Sequence, residues 1–362
     1  MKKKNSFLKS YKKLRVLITG TTGFKGAWLA FWLNSLGARV TGIALKPEKD
    51  SILFKSLNLI SKIDQHFIDI NNFTKVNQLI KKTKPDIVFH LAAQSIVSNS
   101  FSLPLETFKT NIMGSANVLE AYRVNRVPYL VYISSDKCYL NLNKEKNFKE
   151  SDSLGGFDNY SSSKASAEMI FSSYFYNYFK KKNFLTVASA RAGNVIGGGD
   201  MKKNRIIPDI VKALKDKKKI LVLRDPKATR PWQHVLECIN GYLLLGHNLL
   251  NKNLNINTIP NWNFGPKNTN CSSVENISRT FIKSWGKNKL KFNKSKSRKF
   301  YESKYLSLNI NKAKKELNWA PRLNLEDTIN LTVSWYKNFF NGNKNMELYT
   351  KKQIDYFLDN HS

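Results

Sequence analysis

The chain has 362 residues with 41% hydrophobic and 12% aromatic content, which excludes a disordered protein and permits a buried core. Three scattered cysteines, Cys138, Cys238 and Cys271, exclude a disulfide framework or a zinc cage and indicate reduced thiols in a cytoplasmic protein without a metal. The net charge of +34 is spread along the chain without a nucleic-acid-binding motif, so we expect a lysine-rich surface and no nucleic-acid partner.

The first residues of the chain are basic. Residues 1–13 have the charge of a signal peptide but lack the apolar run that should follow it, so we predict a short basic N-terminal extension. No apolar stretch is long enough to span a bilayer, and we expect no membrane partner.

From Leu14 to about Arg191, short β-rich runs alternate with longer amphipathic stretches. The predicted strands are Leu14–Thr19, Arg39–Leu45, Gln65–Ile68, Ile87–Leu91, Tyr129–Ser134 and Leu185–Arg191. The predicted helices are Gly23–Leu36, Lys75–Lys82, Pro104–Tyr122 and Tyr160–Tyr178. Apolar strands joined by helical crossovers predict an α/β fold with a doubly wound, Rossmann-like parallel sheet. Beyond Ala192 the alternation loosens, which predicts a smaller substrate-binding domain.

A glycine-rich turn joins the first predicted strand to the first predicted helix, over Thr19–Gly26. Gly20 would permit the tight turn, Gly23 would let the backbone approach a pyrophosphate, and Gly26 would let helix and strand pack closely. The free N–H groups at the helix start would then bind phosphate. At this junction of an alternating chain, the turn predicts a dinucleotide site.

Two further strand ends bear on the cofactor. Asp69 follows the third apolar run and could either accept from the adenine amino group or cap the next helix. His90 ends the fourth strand and is interpreted as structural. The second strand ends in Ala44-Leu45-Lys46 without the acid that usually binds the ribose of NAD, so the choice between NAD and NADP stays open on this feature.

Tyr160 and Lys164 lie four residues apart and therefore on one face of a predicted helix. Removing a hydride from an alcohol requires a base for the hydroxyl proton. Tyr160 could be that base if the Lys164 ammonium lowers the pKa of its phenol.

Together with Asn111 and Ser135, these motifs resemble the extended short-chain dehydrogenase/reductase family, from about Leu14 to Pro321. The resemblance implies NAD as cofactor. It also implies that Ser135 polarises the substrate hydroxyl and that Asn111 supports a proton-relay water. The implied cofactor-binding residues are Gly20, Thr22, Gly23, Phe24, Lys25, Gly26, Asp69, Ile70, Leu91, Ala92, Ala93, Asn111, Tyr160 and Lys164.

Asp136 and Lys137 follow Ser135 directly. Oxidation at C4 of a sugar acidifies the C5 proton, after which a base can remove that proton while an acid protonates the C6 oxygen. The Asp136–Lys137 pair, with Lys137 where other dehydratases have a glutamate, resembles the branch of the family that dehydrates CDP-glucose. The predicted catalytic residues are therefore Ser135, Asp136, Lys137, Tyr160 and Lys164.

The same resemblance assigns substrate groups and domains. Gln94, Asn194, Arg205, Arg230 and His234 are expected to bind the nucleotide-sugar, CDP-glucose. Residues 14–195 would bind NAD, with 233–262 returning to that domain, while 196–232 and 263–362 would bind substrate. Relatives of this family usually pair through helices, so a homodimer or homotetramer is expected.

Two other functions are compatible with the pattern. A nucleotide-sugar 4-epimerase or reductase could use the same scaffold but would not need Asp136 and Lys137. A non-catalytic dinucleotide-sensing protein would be expected to lack part of the Ser, Tyr and Lys set, which is complete here.

Overall fold

A parallel β-sheet organises the chain. The computed structural model describes residues 3–180, 186–216, 219–254, 258–267, 271–286, 290–294 and 305–359. The strands of the main sheet are β1 (Arg15–Thr19), β2 (Arg39–Ala44), β3 (Asp64–Phe67), β4 (Ile87–His90), β5 (Tyr129–Ile133), β6 (Thr186–Ala192) and β7 (Asn261–Phe264). Their order is β7-β6-β5-β4-β1-β2-β3, with every pairing parallel. The predicted doubly wound fold is confirmed; Leu185 of the sixth predicted run lies outside the described residues.

Helices cover both faces of this sheet because alternate strand residues are apolar on both sides. The α-helices are Phe24–Ser35, Ile52–Ser56, Leu59–Lys62, Phe73–Thr83, Val97–Ser102, Pro104–Phe108, Ser115–Val124, Asn159–Tyr174, Ile206–Lys215, Val235–Leu250, Val274–Trp285, Asn311–Leu317, Leu325–Phe340 and Met346–Asp359. Val16 and Ile18 of β1 join the buried cluster that contains Trp28 and Tyr242. Leu17 joins the opposite cluster, which contains Tyr122 and Phe171. The sheet is thus buried on both faces.

Two predicted helices contain a wider turn. Residues Pro104–Tyr122 were predicted as one helix, but a π-helical segment, Lys109–Gly114, separates Pro104–Phe108 from Ser115–Val124. A second π-helical segment, Phe175–Phe179, ends the helix Asn159–Tyr174. The apolar periodicity of the sequence does not distinguish such a turn from regular helix, although π turns are common at functional sites.

The later part of the chain returns to the sheet and also builds small two-stranded pairings. The apolar helix Val235–Leu250 contacts β5 and β6, and β7 pairs with β6. The small pairings are Asn147–Phe148 with Ser307–Leu308, Val195–Ile196 with Gln233–His234, Ile220–Leu223 with Lys291–Lys294, and Thr229–Pro231 with Cys271–Ser273.

The basic N-terminus is packed rather than extended. Lys3–Tyr11 forms a 3₁₀ helix in which Phe7 and Leu8 are buried. The Tyr11 hydroxyl donates to the carbonyl of Leu243 over 2.6 Å. The high density of lysines in this segment favoured a solvated extension, although its apolar residues pack against the core. Of the helices that the structure describes, none has the length and apolar character that a membrane crossing needs.

Candidate active site

The glycine turn has the crowding expected of a dinucleotide site. Gly20 has φ +85°, and a β-carbon there would lie 2.9 Å from the backbone nitrogen of Ala92. A β-carbon on Gly26 would lie 2.0 Å from the Gly20 carbonyl oxygen, so helix and strand meet too closely for a side chain. Gly23 caps the helix Phe24–Ser35 without any side-chain hydrogen bond. The first N–H groups of that helix are therefore open to an anion.

The end of β4 supports this turn from the neighbouring strand. The Thr19 hydroxyl oxygen accepts from the N–H groups of Leu91 and Ala92 at 3.1 and 3.0 Å, and it bonds His90 Nδ1 at 2.7 Å. Ala93 follows directly on the chain. Burial, with Lys164 nearby, lowers the pKa of His90 to about 3, so this ring is neutral at physiological pH. The structural interpretation of His90 agrees with these contacts.

The end of β3 places Asp69 in an exposed turn, where its carboxylate accepts the N–H of Asn71 at 2.9 Å. The cap of the helix Phe73–Thr83 is Asn72, which accepts from Lys75, so the alternative of Asp69 as a helix cap is wrong. Ile70 is buried, and its carbonyl accepts from Asn117 at 3.0 Å.

Asn111 lies on the π-helical segment and is almost completely buried. Its amide nitrogen donates to the Gln94 carbonyl at 3.0 Å and to the Ser163 hydroxyl at 2.9 Å. Its oxygen accepts from the Gln94 N–H at 2.8 Å. The Ser163 hydroxyl in turn donates to the Tyr160 carbonyl. Asn111 therefore ties the loop after β4 to the helix that carries Tyr160.

Tyr160 and Lys164 lie on the helix Asn159–Tyr174, which begins where Asp158 accepts the N–H of Ser161. Burial raises the pKa of Tyr160 to about 12, although a hydrogen bond with Ser135 acts in the opposite direction. Burial and the charge of Lys25 lower the pKa of Lys164 to about 8. The net shift is upward, because burial and the charge of Asp136 outweigh the Ser135 hydrogen bond and the charge of Arg205, and the effect of Lys164 on this phenol stays a prediction.

Asp136 and Lys137 lie on a single 3₁₀ turn, Asp136–Cys138, at the carboxyl end of β5. Ser135 begins this turn: its hydroxyl accepts the Lys137 N–H at 3.2 Å and donates to Asp136 Oδ1 at 3.0 Å. Asp136 is 2% exposed, and burial raises the pKa of its carboxyl against the charges of Lys137 and Lys25. Among the residues that the structure describes, its Oδ2 has no hydrogen-bond partner. Gly193 provides the space, because a β-carbon there would lie 1.7 Å from Oδ2.

These groups share a cavity of about 300 Å³. The predicted site residues that line it are Phe24, Lys25, Ser135, Asp136, Lys137, Tyr160, Asn194, Arg205 and Arg230. Lys25, expected on the cofactor side, is half-buried within this wall, and its charge acts on Asp136 as well as on Lys164. One cation therefore acts on both Asp136 and Lys164, which the sequence had assigned to separate steps.

Two arginines add positive charge to the cavity. Arg205 is held by Asp200 at 2.8 Å and donates to the Ser95 hydroxyl at 2.7 Å. Arg230 is 4% exposed and donates to the Thr229 carbonyl at 2.7 Å. A buried guanidinium at a cavity wall suits phosphate oxygens.

Two predicted substrate residues do not line the cavity. The Gln94 side chain donates to Thr107 at 2.9 Å and accepts from the Ile96 N–H at 2.6 Å, so it is used within its own loop. His234 is fully buried and caps the helix Val235–Leu250 by accepting the N–H of Leu236. Burial lowers its pKa to about 3. Both residues hold backbone in place instead of facing the cavity.

Sequence reasoning missed three continuous segments of the wall, and one of them, Ile206–Asp209, begins the helix that follows Arg205. Ser95–Ser98 lines the cavity and directly follows Gln94, so its position in the sequence next to a predicted substrate residue could have indicated it. Val222–Asp225 lies at the end of a small strand and belongs to no recognisable motif. Within the described part of the chain, no group of three or more His, Cys, Asp or Glu side chains could hold a metal ion.

Comparisons with known proteins agree with this geometry. The family model for GDP-mannose 4,6-dehydratase matches residues 17–332. CDP-glucose 4,6-dehydratase of Salmonella typhimurium is 37% identical over 349 residues, covering 95% of this chain and 96% of the relative. UDP-glucose 4-epimerase of Mycoplasma genitalium is 25% identical, covering 91% and 98%. The fold resembles DesIV, a dTDP-glucose 4,6-dehydratase from Streptomyces venezuelae solved with NAD, with TM-score 0.78, 21% identity and coverage of 90% and 97%.

Proposed function

The chain belongs to the GDP-mannose 4,6-dehydratase family, and from this membership we propose that it is an NAD-dependent nucleotide-sugar 4,6-dehydratase acting on CDP-glucose. The observation that carries the proposal is that buried Asp136 and its neighbour Lys137 line the same cavity as Tyr160. A relative that matches 95% of the chain is a CDP-glucose 4,6-dehydratase. The products are water and CDP-4-dehydro-6-deoxyglucose, so the enzyme is a hydro-lyase of deoxysugar biosynthesis.

NAD is the cofactor, since dehydratases of the same fold have been solved with it. The turn fits its pyrophosphate because Gly20 and Gly26 leave no room for side chains and no side chain caps the following helix. The other groups proposed to hold it are Thr22, Gly23, Phe24, Asp69, Ile70, Leu91, Ala92, Ala93 and Lys164. When bound, NAD would supply the acceptor for the C4 hydride and the donor of that hydride to C6, so it would be regenerated in each turnover.

In the oxidation step, Tyr160 takes the proton of the C4 hydroxyl while Ser135 polarises that oxygen. A phenol with a pKa of about 12 is almost wholly protonated at neutral pH and cannot then accept a proton. Nearby positive charge that lowers this pKa increases the fraction of phenolate that can act as the base. The charge of Arg205 and the hydrogen bond with Ser135 both act to lower this pKa. Lys164, with a pKa of about 8, is still mainly cationic at pH 7.

In the elimination step, Lys137 takes the C5 proton in its neutral amine form, and the C5–H electrons form the C5–C6 double bond. The C6 oxygen leaves as water with the proton of Asp136. The raised pKa of Asp136 suits this role, because the acid form persists to higher pH than in a solvated carboxyl. Lys137 then returns its proton to C5, and the proton gained by Tyr160 balances the one lost by Asp136.

We propose that Arg205, Arg230 and Asn194 bind the diphosphate of the substrate. The two guanidinium groups are fixed by Asp200 and by the Thr229 carbonyl, so little freedom would be lost on binding. Gln94 and His234 are not included, because their side chains are engaged elsewhere.

A 4-epimerase is the principal competing function, and one relative of 25% identity has that activity. Such an enzyme needs no acid at C6, and a buried carboxyl without a use there would only destabilise the fold. The non-catalytic alternative is disfavoured because Ser135, Tyr160 and Lys164 are all present and Ser135 bonds Tyr160.

We further propose that residues 14–195 and 233–262 form the cofactor domain, with 196–232 and 263–362 forming the substrate domain. The contacts of the helix Val235–Leu250 with the sheet support this division. Three unpaired cysteines support a cytoplasmic location.

A homodimer is proposed through the two contacting helices Pro104–Phe108 and Asn159–Tyr174. Leu105 is 82% exposed and Met169 is 53% exposed, which leaves apolar surface on both helices. Exposed apolar surface of this kind is typical of protein interfaces.

The test is incubation of the purified protein and NAD with CDP-, dTDP-, GDP- and UDP-hexoses, followed by mass spectrometry and alkaline absorbance of the 4-keto product. Loss of one water from CDP-glucose without net cofactor reduction is expected. A product of unchanged mass would establish epimerisation instead, and absence of turnover with every sugar would refute the enzymatic proposal.

A further inference from the structure

A buried ion pair lies beneath the proposed active site. Arg191 Nη2 contacts Glu168 Oε2 at 2.8 Å, and the two side chains are 2% and 1% exposed. Arg191 belongs to β6, whereas Glu168 lies on the helix Asn159–Tyr174. Glu168 follows Lys164 by four residues, so it lies one turn further along the same helix face. Neither charge lines the substrate cavity or enters the proposed proton transfers.

The Glu168 side of the pair fixes the helix that carries Tyr160 and Lys164. Its Oε1 accepts from the Ser189 hydroxyl at 2.7 Å, so both carboxylate oxygens are bonded to β6. Although burial acts to raise the pKa of Glu168, the Arg191 charge and these hydrogen bonds hold it below its usual value. The carboxylate therefore remains charged and keeps the helix in one register against β6.

The Arg191 side of the pair fixes the turn that carries Asp136 and Lys137. Its Nη1 donates to the Tyr139 hydroxyl at 2.8 Å, and Tyr139 is the residue at which the turn ends. Tyr139 donates in turn to Asn263 Oδ1 of β7 at 2.7 Å. Tyr139 is also stacked on Phe148. One guanidinium thus joins the acid–base turn to the helix of the hydride-transfer groups.

Stability does not by itself explain this arrangement. Taking two charges out of water costs about as much as their attraction returns, and apolar pairs of similar volume often replace them without loss of stability. A fork of directed hydrogen bonds provides defined distances, which an apolar pair does not. The contacts reach both functional segments, where a displacement of about 1 Å can cost about 100-fold in rate.

We propose that Arg191 and Glu168 are positioning residues that set the turn of Asp136 and Lys137 against the helix of Tyr160 and Lys164, so that elimination follows oxidation. This inference rests on the proposed dehydratase function. The pair acts through Tyr139 and the helix and does not touch the reacting atoms.

The experiment is a single-turnover comparison of the wild type with the double variant Arg191→Met and Glu168→Met, using CDP-glucose and bound NAD. Absorbance of the reduced cofactor follows oxidation at C4, and mass spectrometry of quenched samples follows loss of water. The methionine pair is chosen to keep the core filled, and thermal unfolding is measured in parallel to verify that the variant is folded. Because Asn111 still bonds Ser163 on the helix of Tyr160 and Lys164, oxidation at C4 is expected to slow less than loss of water, which should fall about 100-fold with reduced cofactor accumulating.

A second variant, Tyr139→Phe, keeps the ion pair and the ring beneath the Arg191 guanidinium, and it removes the hydroxyl that accepts from Arg191 and donates to Asn263. It is expected to slow loss of water about tenfold with little change in oxidation. The control is the exposed ion pair Glu275–Arg279, 2.7 Å long, replaced by methionine at both positions. That control should leave both steps unchanged.

Equal slowing of both steps, or no slowing of either, in the folded double variant and in Tyr139→Phe would overturn the inference. If the double variant unfolds, Tyr139→Phe decides the question alone. A wild type that loses no water from any nucleotide-hexose would instead refute the dehydratase proposal and, with it, this inference.

Discussion

Replacement of Gly193 by alanine should separate the two halves of the reaction. A β-carbon at this position would lie 1.7 Å from Asp136 Oδ2 and 2.0 Å from Cγ. A carbon–oxygen contact needs about 3.3–3.6 Å, so the carboxyl group must withdraw by roughly 1.6 Å or more. Gly193 does not have a positive φ, so the backbone itself accepts alanine, and the three atoms nearest to the β-carbon all belong to Asp136.

The expected magnitude follows from that displacement. A misplacement of about 1 Å at a reacting group can cost about 100-fold in rate, or about 2.7 kcal/mol in activation free energy. Loss of water should therefore fall at least about 100-fold in Gly193→Ala, while reduction of bound cofactor by CDP-glucose continues. The destabilisation expected from overpacking is about 1–3 kcal/mol, which leaves a typical protein folded.

The assay is stopped-flow absorbance of the reduced cofactor together with mass analysis of quenched product. Gly265→Ala is the matched control, since its β-carbon would meet nothing closer than Leu308 at 3.3 Å. Thermal unfolding of both variants excludes a folding defect as the cause. Wild-type loss of water in a folded Gly193→Ala protein would refute the assignment of Asp136 as the acid.

Three further results are expected. In Lys25→Met, the loss of a cation raises the pKa of Asp136, so the acid form persists to higher pH. The pH at which the elimination rate falls should therefore be higher than in wild type, and an unchanged pH–rate profile would contradict this role of Lys25. The pKa of His234 is about 3 in the folded protein, so below pH 6.5 and down to about pH 3 the wild type takes up a proton at this ring when it unfolds. In this window the free energy of unfolding of His234→Gln should therefore rise relative to wild type by about 1.4 kcal/mol for each pH unit of acidification, as measured by guanidinium unfolding. A constant difference would show that the ring is not buried neutral. Leu105→Glu with Met169→Glu should convert a dimer to monomers in light scattering, and an unchanged mass excludes that interface.

Much of the fold followed from local patterns. Five of the seven main strands correspond to apolar runs bounded by turn residues, because strands buried on both faces must be almost wholly apolar. The remaining predicted strand, β3 (Asp64–Phe67), lies at the edge of the sheet and is polar and partly exposed. The glycine turn was recognisable since Gly20 and Gly26 occupy positions where any β-carbon would collide with backbone. The seventh strand, Asn261–Phe264, was not predicted, because two of its four residues are asparagines and the segment lacks the apolar run typical of a buried strand, although all four residues are buried. Asn263 uses its amide to donate to the carbonyl of Phe148, a contact that no local pattern predicts.

The role of a side chain was less predictable than its position, because that role depends on partners distant in sequence. Gln94 was placed correctly at the end of β4, yet Thr107 and the Ile96 N–H already use its amide. Asp136 is the opposite case: the fold buries its carboxyl, gives Oδ2 no partner within the described ranges and leaves space for it at Gly193. A buried oxygen without a partner carries a cost in stability, so its retention beside the cavity argues for a group on the substrate as the missing partner. The C6 hydroxyl of a hexose, which must be protonated to leave as water, meets that requirement.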